Sequence, residues 1–368
     1  MRILIYLPPN GRAVDQQSVM ELFIKLGHEV FLLTHLQEGA LHKAARTLGV
    51  KTFSSDVKAS RGILTYLKQT RFLAKFIKRH KIEIVFAHLQ AAGLAAGLAR
   101  KLTTFRLFYI RHNTDEHKLQ ANRNAIVINW LTNKVTSTII APSDKVYNYI
   151  TQEEGISPSR VVRLNYGYNF DQYLQTDREG HAGAIREQFN CQMLIISVAR
   201  LIPAKRHLLM FDVVKQVRET GRDVKMICLS EGNLKLVLEQ YIADNKLKET
   251  IFLLGNKTAV LDYLEASTVF FHLSETEASN SAVKEAGLCK IPVIVCSDVG
   301  DFDDYIIDEV NGFLTSKKDP VPRSVEIITK LYDQPGLASA IGSKFHETIL
   351  REFSIENVAR QYEELLLN

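Results

Sequence analysis

Short apolar runs rich in β-branched and aromatic residues recur along the first half of the chain, at Ile3–Leu7, Val30–Thr34, Ile82–Ala87, Leu107–Ile110 and Ser137–Ala141. Between them lie stretches with helical spacing, among them Val14–Leu26 and Leu89–Lys101. A strand that is apolar throughout must be covered on both faces, and strands that alternate with helices join in parallel. The pattern constrains this half to a parallel sheet with helices on both sides. It then recurs, with strands expected at Leu194–Val198, Val224–Leu229, Ile251–Leu254, Thr268–Leu273 and Pro292–Cys296. Two doubly wound α/β domains in tandem follow. No short-period repeat or low-complexity tract competes with this reading.

A chain of 368 residues suits two domains of ordinary size. The polar, glycine-containing stretch from Asn165-Tyr166-Gly167-Tyr168-Asn169 through Gly183 reads as the linker. The domains are expected at 1–170 and 171–352. With 46% hydrophobic and 24% charged residues, the composition is that of a soluble globular protein. No apolar run is long enough to span a bilayer, and Met1-Arg2-Ile3-Leu4-Ile5-Tyr6 reads as a first core strand rather than a signal peptide. A cytoplasmic location is the expectation. Cys191, Cys228, Cys289 and Cys296 lack metal-ligand spacing and read as small residues among apolar neighbours.

Charge is uneven. Residues 1–170 hold 24 Lys+Arg against 11 Asp+Glu, a balance of +13, and residues 171–368 hold 22 against 30, a balance of −8. The basic half suits an anionic partner or surface. The segment Leu64–His80 sharpens this, because Lys68, Arg71, Lys75, Lys78 and Arg79 alternate with Leu64, Leu67, Phe72, Leu73, Phe76 and Ile77. Such a helix either lies on an anionic membrane or packs on the sheet with its charges in water. The small-residue run Ala91–Gly97 ends in Arg100-Lys101 and suits close helix-to-sheet packing.

Doubly wound sheets bind ligands beyond the carboxyl ends of their strands, so two of them facing one another leave a central cleft as the site. The richest stretch there is Ser274–Ala286, where a strand passes through small polar residues into a helix beginning near Asn280. A helix start offers unpartnered amides and a positive dipole end, which together suit an anion. Ser279, Asn280 and Ser281 are candidates to cap it while leaving amides for a phosphate. Glu277 and Glu285 add carboxylates able to grip hydroxyls. By itself the stretch reads better as an ordinary capped helix with solvated glutamates. After the first strand of the same domain, Arg200 and Lys205 offer a guanidinium fork and a point charge suited to a diphosphate. Gly232 in Ser230-Glu231-Gly232-Asn233 follows the next strand where a helix is expected to open, and Asn256 in Gly255-Asn256-Lys257 follows the third, where backbone can close over a flat base; either stretch reads also as a tight βα turn.

In the first half, Arg111-His112-Asn113-Thr114-Asp115 follows a strand and puts His112 at the ligand end of the sheet. His88, at another strand end, is a weaker candidate, and His28 sits in a helix-to-strand turn. Pro8-Pro9-Asn10-Gly11-Arg12 is a turn where backbone can approach a ligand. Asp301-Phe302-Asp303-Asp304 has a spacing that suits Mg²⁺ but reads better as acidic residues in a first helical turn. No metal site is expected.

Taken together, Val198-Ala199-Arg200-Leu201 with Lys205, and Glu277-Ala278-Ser279-Asn280-Ser281 with Glu285-Ala286, resemble the diphosphate and paired-glutamate motifs of retaining glycosyltransferases of the GT-B fold, family 4. Gly287–Val295, Gly312-Phe313-Leu314, Ala141-Pro142-Ser143 and Leu164-Asn165-Tyr166-Gly167 are similar to further segments of that family, so the resemblance spans nearly the whole chain. It implies two Rossmann-like domains, with a terminal helix near 353–368 packing back on the first. It implies that Arg200 and Lys205 neutralise the leaving nucleoside diphosphate with help from amides near Asn280 and Ser281, that Glu285 holds ribose and Glu277 the donor sugar, and that His112 is the cleft histidine. Transfer would retain anomeric configuration and need no metal or other cofactor. The implied partners are a nucleotide-sugar donor, uridine-linked by expectation, and a surface polysaccharide or lipid-linked acceptor, with an anionic membrane surface beside the basic domain and no nucleic acid. The first loop departs from the family in lacking its glycine pair. A nucleotide-sugar epimerase would need further cleft acids or bases, and a non-catalytic nucleotide-sugar-binding partner would tolerate loss of Glu277 and His112.

Overall fold

The computed structural model describes residues 1–367 except 12, 56, 58–62, 112–122, 174–177 and 278. The chain forms two units, Met1–Asn169 with the segment from Ile355 onward, and Phe170–Ser354.

In the first unit, seven parallel strands lie in the order β3-β2-β1-β4-β5-β6-β7. They are β1 (Arg2–Leu7), β2 (Glu29–Thr34), β3 (Lys51–Ser54), β4 (Ile84–His88), β5 (Arg106–Ile110), β6 (Thr138–Ala141) and β7 (Val161–Arg163). Ile3 pairs with Val30 on one side and Ile84 on the other, so the order reverses between β1 and β4. Leu4, Tyr6, Phe31, Leu33 and Val85 share one face, which the helices Ile63–His80 and Leu89–Ala99 cover through Leu73, Phe76, Ile77, Ala92, Ala95 and Ala96. Glycines at 93 and 97 allow the helix Arg123–Val135 to approach closely. A Cβ on Gly93 would lie 2.7 Å from the Tyr109 ring and 2.9 Å from Thr132, and one on Gly97 would lie 2.3 Å from Val135. The small-residue run packs on the sheet at Tyr109, as expected, and also on a neighbouring helix at Thr132 and Val135, which sequence reasoning did not anticipate.

The terminal helix Ile355–Leu367 belongs to this unit. The amide of Ile355 donates to the Tyr168 carbonyl at 2.9 Å, Arg106 donates to the carbonyl of Leu365 at 2.8 Å, and Tyr362 meets Phe23 edge-on. Gly167 is required beneath it, because a Cβ there would come within 2.5 Å of Ile355 and Val358.

The second unit holds six parallel strands in the order β10-β9-β8-β11-β12-β13. They are β8 (Met193–Val198), β9 (Val224–Leu229), β10 (Ile251–Gly255), β11 (Val269–His272), β12 (Val293–Cys296) and β13 (Phe313–Thr315). Ile195, Ile196, Met226, Ile227, Phe270, Phe271 and Ile294 are fully buried, as strands covered on both faces must be. The order reverses between β8 and β11.

Sequence patterning anticipated ten of these strands. The three it lacked, β3, β7 and β13, are sheet edges of three or four residues. The helix Ile63–His80 resolves its two readings in part: Leu73, Phe76 and Ile77 are core, while Leu64 and Leu67 in its first turns are exposed.

Candidate functional site

At the reversal between β8 and β11, crossover connections leave the second sheet in opposite directions, so the segments that follow these neighbouring strands are left side by side. This brings Lys205 to Glu277. Residues 199–206 run from β8 through a short 3-10 turn, Pro203–Lys205, into the helix His207–Glu219. Residues 273–280 run from β11 to the helix Ser281–Leu288. The two segments are stitched by backbone: the amide of Glu275 donates to the Ala204 carbonyl at 2.8 Å, and Ser274 Oγ donates to the same oxygen at 3.2 Å.

Lys205 Nζ forms an ion pair with Glu277 Oε1 and lies 3.4 Å from Ser274 Oγ. The same carboxylate oxygen lies 2.7 Å from His272 Nε2 and accepts from Asn280 Nδ2 at 3.0 Å. Among the described residues no donor reaches Oε2. Burial alone would raise the Glu277 pKa. The hydrogen bond and charge of His272, followed by those of Lys205, outweigh burial and hold the carboxyl well below the usual carboxylate range. The site thus presents a fixed anion with one oxygen engaged.

Arg200 is exposed, and its guanidinium makes no ion pair or hydrogen bond among the described residues. Its neighbour Arg206, which sequence reasoning passed over, is a tether. In a left-handed conformation (φ 51°), it donates to the carbonyls of Leu273 at 2.6 Å and Lys317 at 2.8 Å, and to Cys296 Sγ at 3.1 Å. His207 is buried behind it, and burial, followed by the charges of His272 and Lys205, pushes its pKa down to about 4.

The loops after β8 and β9 touch through backbone. The amide of Leu201 donates to Glu231, and that of Leu234 donates to Leu201. A Cβ on Gly232 would fall 2.3 Å from the Leu201 carbonyl oxygen, so only glycine fits. The helix expected to open at this point begins later, at Lys235. Asn256 follows β10 and is exposed.

The helix start at residue 280 needs a correction. Asn280 is its cap, but its Oδ1 accepts from the amides of Ala282 at 2.9 Å and Val283 at 3.3 Å, so those two amides are not left for a phosphate. Ser279 does not cap at all. Its hydroxyl donates to Asp301 Oδ2 at 2.6 Å and accepts from Lys284 Nζ at 3.0 Å. Ser281 is exposed, and Glu285 is half-buried one turn into the helix. Asp301 precedes the short helix Phe302–Tyr305 as expected, yet its carboxylate makes no cap and instead pairs with Lys284. Asp303 accepts from the Asp298 amide at 2.7 Å. His112, the candidate of the first domain, and Arg12 and Ala278 lie outside the described residues. His88 ends β4 and is buried.

Residues 185–347 match the family model described as glycosyl transferases group 1, and residues 17–172 match the model described as Glycosyltransferase Family 4. The chain belongs to the GT-B-fold glycosyltransferases. The fold is similar to that of HepE of Anabaena, a structure solved with UDP and glucose, with a TM-score of 0.85 at 18% identity over 100% of each chain. Among curated relatives, the phosphatidylinositol N-acetylglucosaminyltransferase GPI3 subunit of Saccharomyces cerevisiae is 23% identical over 94% of this chain and 77% of its own length. The UDP-Gal:alpha-D-GlcNAc-diphosphoundecaprenol alpha-1,3-galactosyltransferase of Escherichia coli is 24% identical over 76% of this chain and 73% of its own.

In this glycosyltransferase the residues that sequence reasoning missed, His272, Lys284 and Arg206, each stand behind a residue it found. His272 has a visible signal, a polar residue ending an apolar strand at the ligand end of the sheet.

Proposed function

We propose that this protein transfers a sugar from a UDP-linked donor, with retention of anomeric configuration, to a polysaccharide or lipid-linked acceptor. The observation that carries the reading is the arrangement of Glu277. Lys205, His272 and Asn280 hold one carboxylate oxygen and the other remains for a sugar hydroxyl, while Arg200, which follows the paired strand β8, is exposed and uncommitted among the described residues. Breaking the glycosidic bond leaves negative charge on the departing diphosphate. Cations that meet the phosphate as charge develops, of which Lys205 is already held in place, stabilise that charge more than they stabilise the ground state. Arg200 supplies a fork of donors. Lys205 has three ammonium protons, of which Glu277 and Ser274 engage two, so one remains for phosphate. With the leaving charge met by side chains, no metal is required. Glu285 takes the ribose hydroxyls, and the backbone around Gly232 and Asn256 takes the base. His112 is assigned to the donor sugar by family resemblance alone.

The UDP assignment is supported by the HepE complex, and the acceptor class by relatives named for phosphatidylinositol and diphosphoundecaprenol acceptors. A membrane-borne acceptor also suits the first unit, where Leu64, Leu67, Lys68, Arg71, Lys75 and Lys78 form one exposed stripe. The helix Arg123–Val135 exposes Ile126, Val127 and Trp130, and both helices pack against Leu89–Ala99. We assign this surface to peripheral contact with an anionic bilayer on the cytoplasmic side. The test of the donor assignment is thermal stabilisation by a panel of nucleotide sugars, before and after Arg200→Ala. A UDP-sugar should stabilise the wild type in proportion to its affinity and fail to stabilise the variant. Equal stabilisation of both proteins contradicts the assignment.

A further inference from the structure

Lys284 lies in the middle of the helix Ser281–Leu288, among Ala282, Val283, Ala286 and Gly287, all buried. An aliphatic side chain would fill that position without burying a charge. The chain instead places a fully buried ammonium there, 2.5 Å from Asp301 Oδ2 and 3.0 Å from Ser279 Oγ, with the rings of Tyr305 and Phe353 at 4.9 and 4.8 Å. Asp301 is equally buried and accepts from Ser279 Oγ at 2.6 Å. Lysine, aspartate and serine therefore close a triangle. Its aspartate comes from the segment after β12, while its serine lies in the turn after β11.

We propose that the Lys284–Asp301 pair is a positioning device for the donor turn, fastening Ser279 to the neighbouring strand end so that Asn280 and Glu277 hold their places. This inference rests on the reading of residues 274–280 as the donor site. The connection is short. Ser279 adjoins Asn280, whose side chain caps the helix through Oδ1 and reaches Glu277 Oε1 at 3.0 Å and His272 Nε2 at 3.1 Å through Nδ2. The stitches at Ala204 and the Lys205 and His272 contacts hold the turn's first part, and Ser279, fastened to the segment after β12, holds the part next to the helix start.

The physics of buried ion pairs separates positioning from stability. Removing one member of such a pair strands a charge and destabilises strongly, whereas replacing both with apolar residues is often neutral or stabilising. A pair kept for stability alone is therefore dispensable as a pair. The variant to make is Lys284→Met with Asp301→Leu, which avoids the stranded charge of either single change.

The experiment compares this double variant with the wild type by thermal unfolding, amide hydrogen exchange and titration with UDP. The expected result is an unfolding midpoint no lower than that of the wild type, with exchange at Glu277 and Ser279–Ala282 faster by about tenfold and the rest of the unit unchanged. UDP should bind about tenfold more weakly. Unchanged exchange in this turn in a folded double variant overturns the proposal. So does exchange that rises evenly across the unit as the midpoint falls, since that marks a structural role. If exchange rises only in the turn but the wild type itself does not bind UDP, the positioning device stands and the donor reading fails.

Discussion

His272 Nε2 lies 2.7 Å from Glu277 Oε1, the oxygen that also carries Lys205. The strand end and the loop after β8 thus grip one carboxylate oxygen from two sides, and the turn between residues 273 and 280 is set by that grip. Charge placed in this way serves two ends. Part of it holds the protein together, and part, on the proposed reading, meets a ligand.

Arg200 and Lys205 separate those ends. Lys205→Ala removes the ion-pair partner of a nearly buried carboxylate and should destabilise folding by about 2 kcal/mol, below the range for a fully buried pair because both side chains keep some solvent. Arg200→Ala removes an exposed, unpaired side chain and should shift stability by less than about 0.5 kcal/mol. Urea unfolding of the two variants, each with an unchanged m-value, checks the contrast.

Gly232→Ala should push the loops after β8 and β9 apart, because the added Cβ meets the Leu201 carbonyl oxygen. Overpacking against backbone typically destabilises by about 1–3 kcal/mol. The accompanying expectation is weaker UDP binding, measured calorimetrically. A variant with wild-type stability would show that this contact yields freely.

Two buried histidines set an acid limit on stability. His35, which contacts Tyr6 and Gln69, and His207 both have pKa values pushed down to about 4 by burial. Both are neutral when folded at neutral pH, whereas in the unfolded chain each titrates near its ordinary value of about 6.5. Between those values the unfolded state binds more protons, so stability is fully present above the upper value and falls as pH drops toward the lower one. Urea midpoints measured from pH 7 to pH 4 should decline through this window. His35→Gln should flatten part of the decline.

Trp130 is the single tryptophan of the chain, and it is about half exposed. If the exposed faces of Ile63–His80 and Arg123–Val135 meet an anionic bilayer, its emission should shift to the blue with phosphatidylglycerol vesicles and stay unchanged with phosphatidylcholine alone. Lys68→Glu with Arg71→Glu should weaken that response, and raised salt should do the same.

How much of this was legible depended on burial. β1, β4, β8 and β12 are covered on both faces, so their sequences are continuous apolar runs that announce themselves. β3 reads Lys51-Thr52-Phe53-Ser54 and is never fully covered, so an edge strand there leaves no such run. Arg200, Lys205 and Glu277 were readable because they follow strands and match a family pattern. Lys284 was not, because a lysine in a helix is ordinarily solvated and its partner Asp301 lies beyond another strand, visible only once β11 and β12 are neighbours. Ser279 misled for the same reason: its position suggests a cap, and only the fold turns its hydroxyl to Asp301.

The central claim is that Glu277, Lys205 and Arg200 belong to the donor half of a sugar-transfer site. The direct measurement is transfer of labelled sugar from UDP-sugars to lipid-linked and polysaccharide acceptors, in the presence of a metal chelator, by the wild type and by Glu277→Gln, which keeps the shape of the side chain and removes its charge. The expected result is metal-independent labelling by the wild type and a rate lower by about a hundredfold in the variant, the scale of losing one transition-state contact. A Glu277→Gln protein that glycosylates acceptor at the full wild-type rate would contradict it.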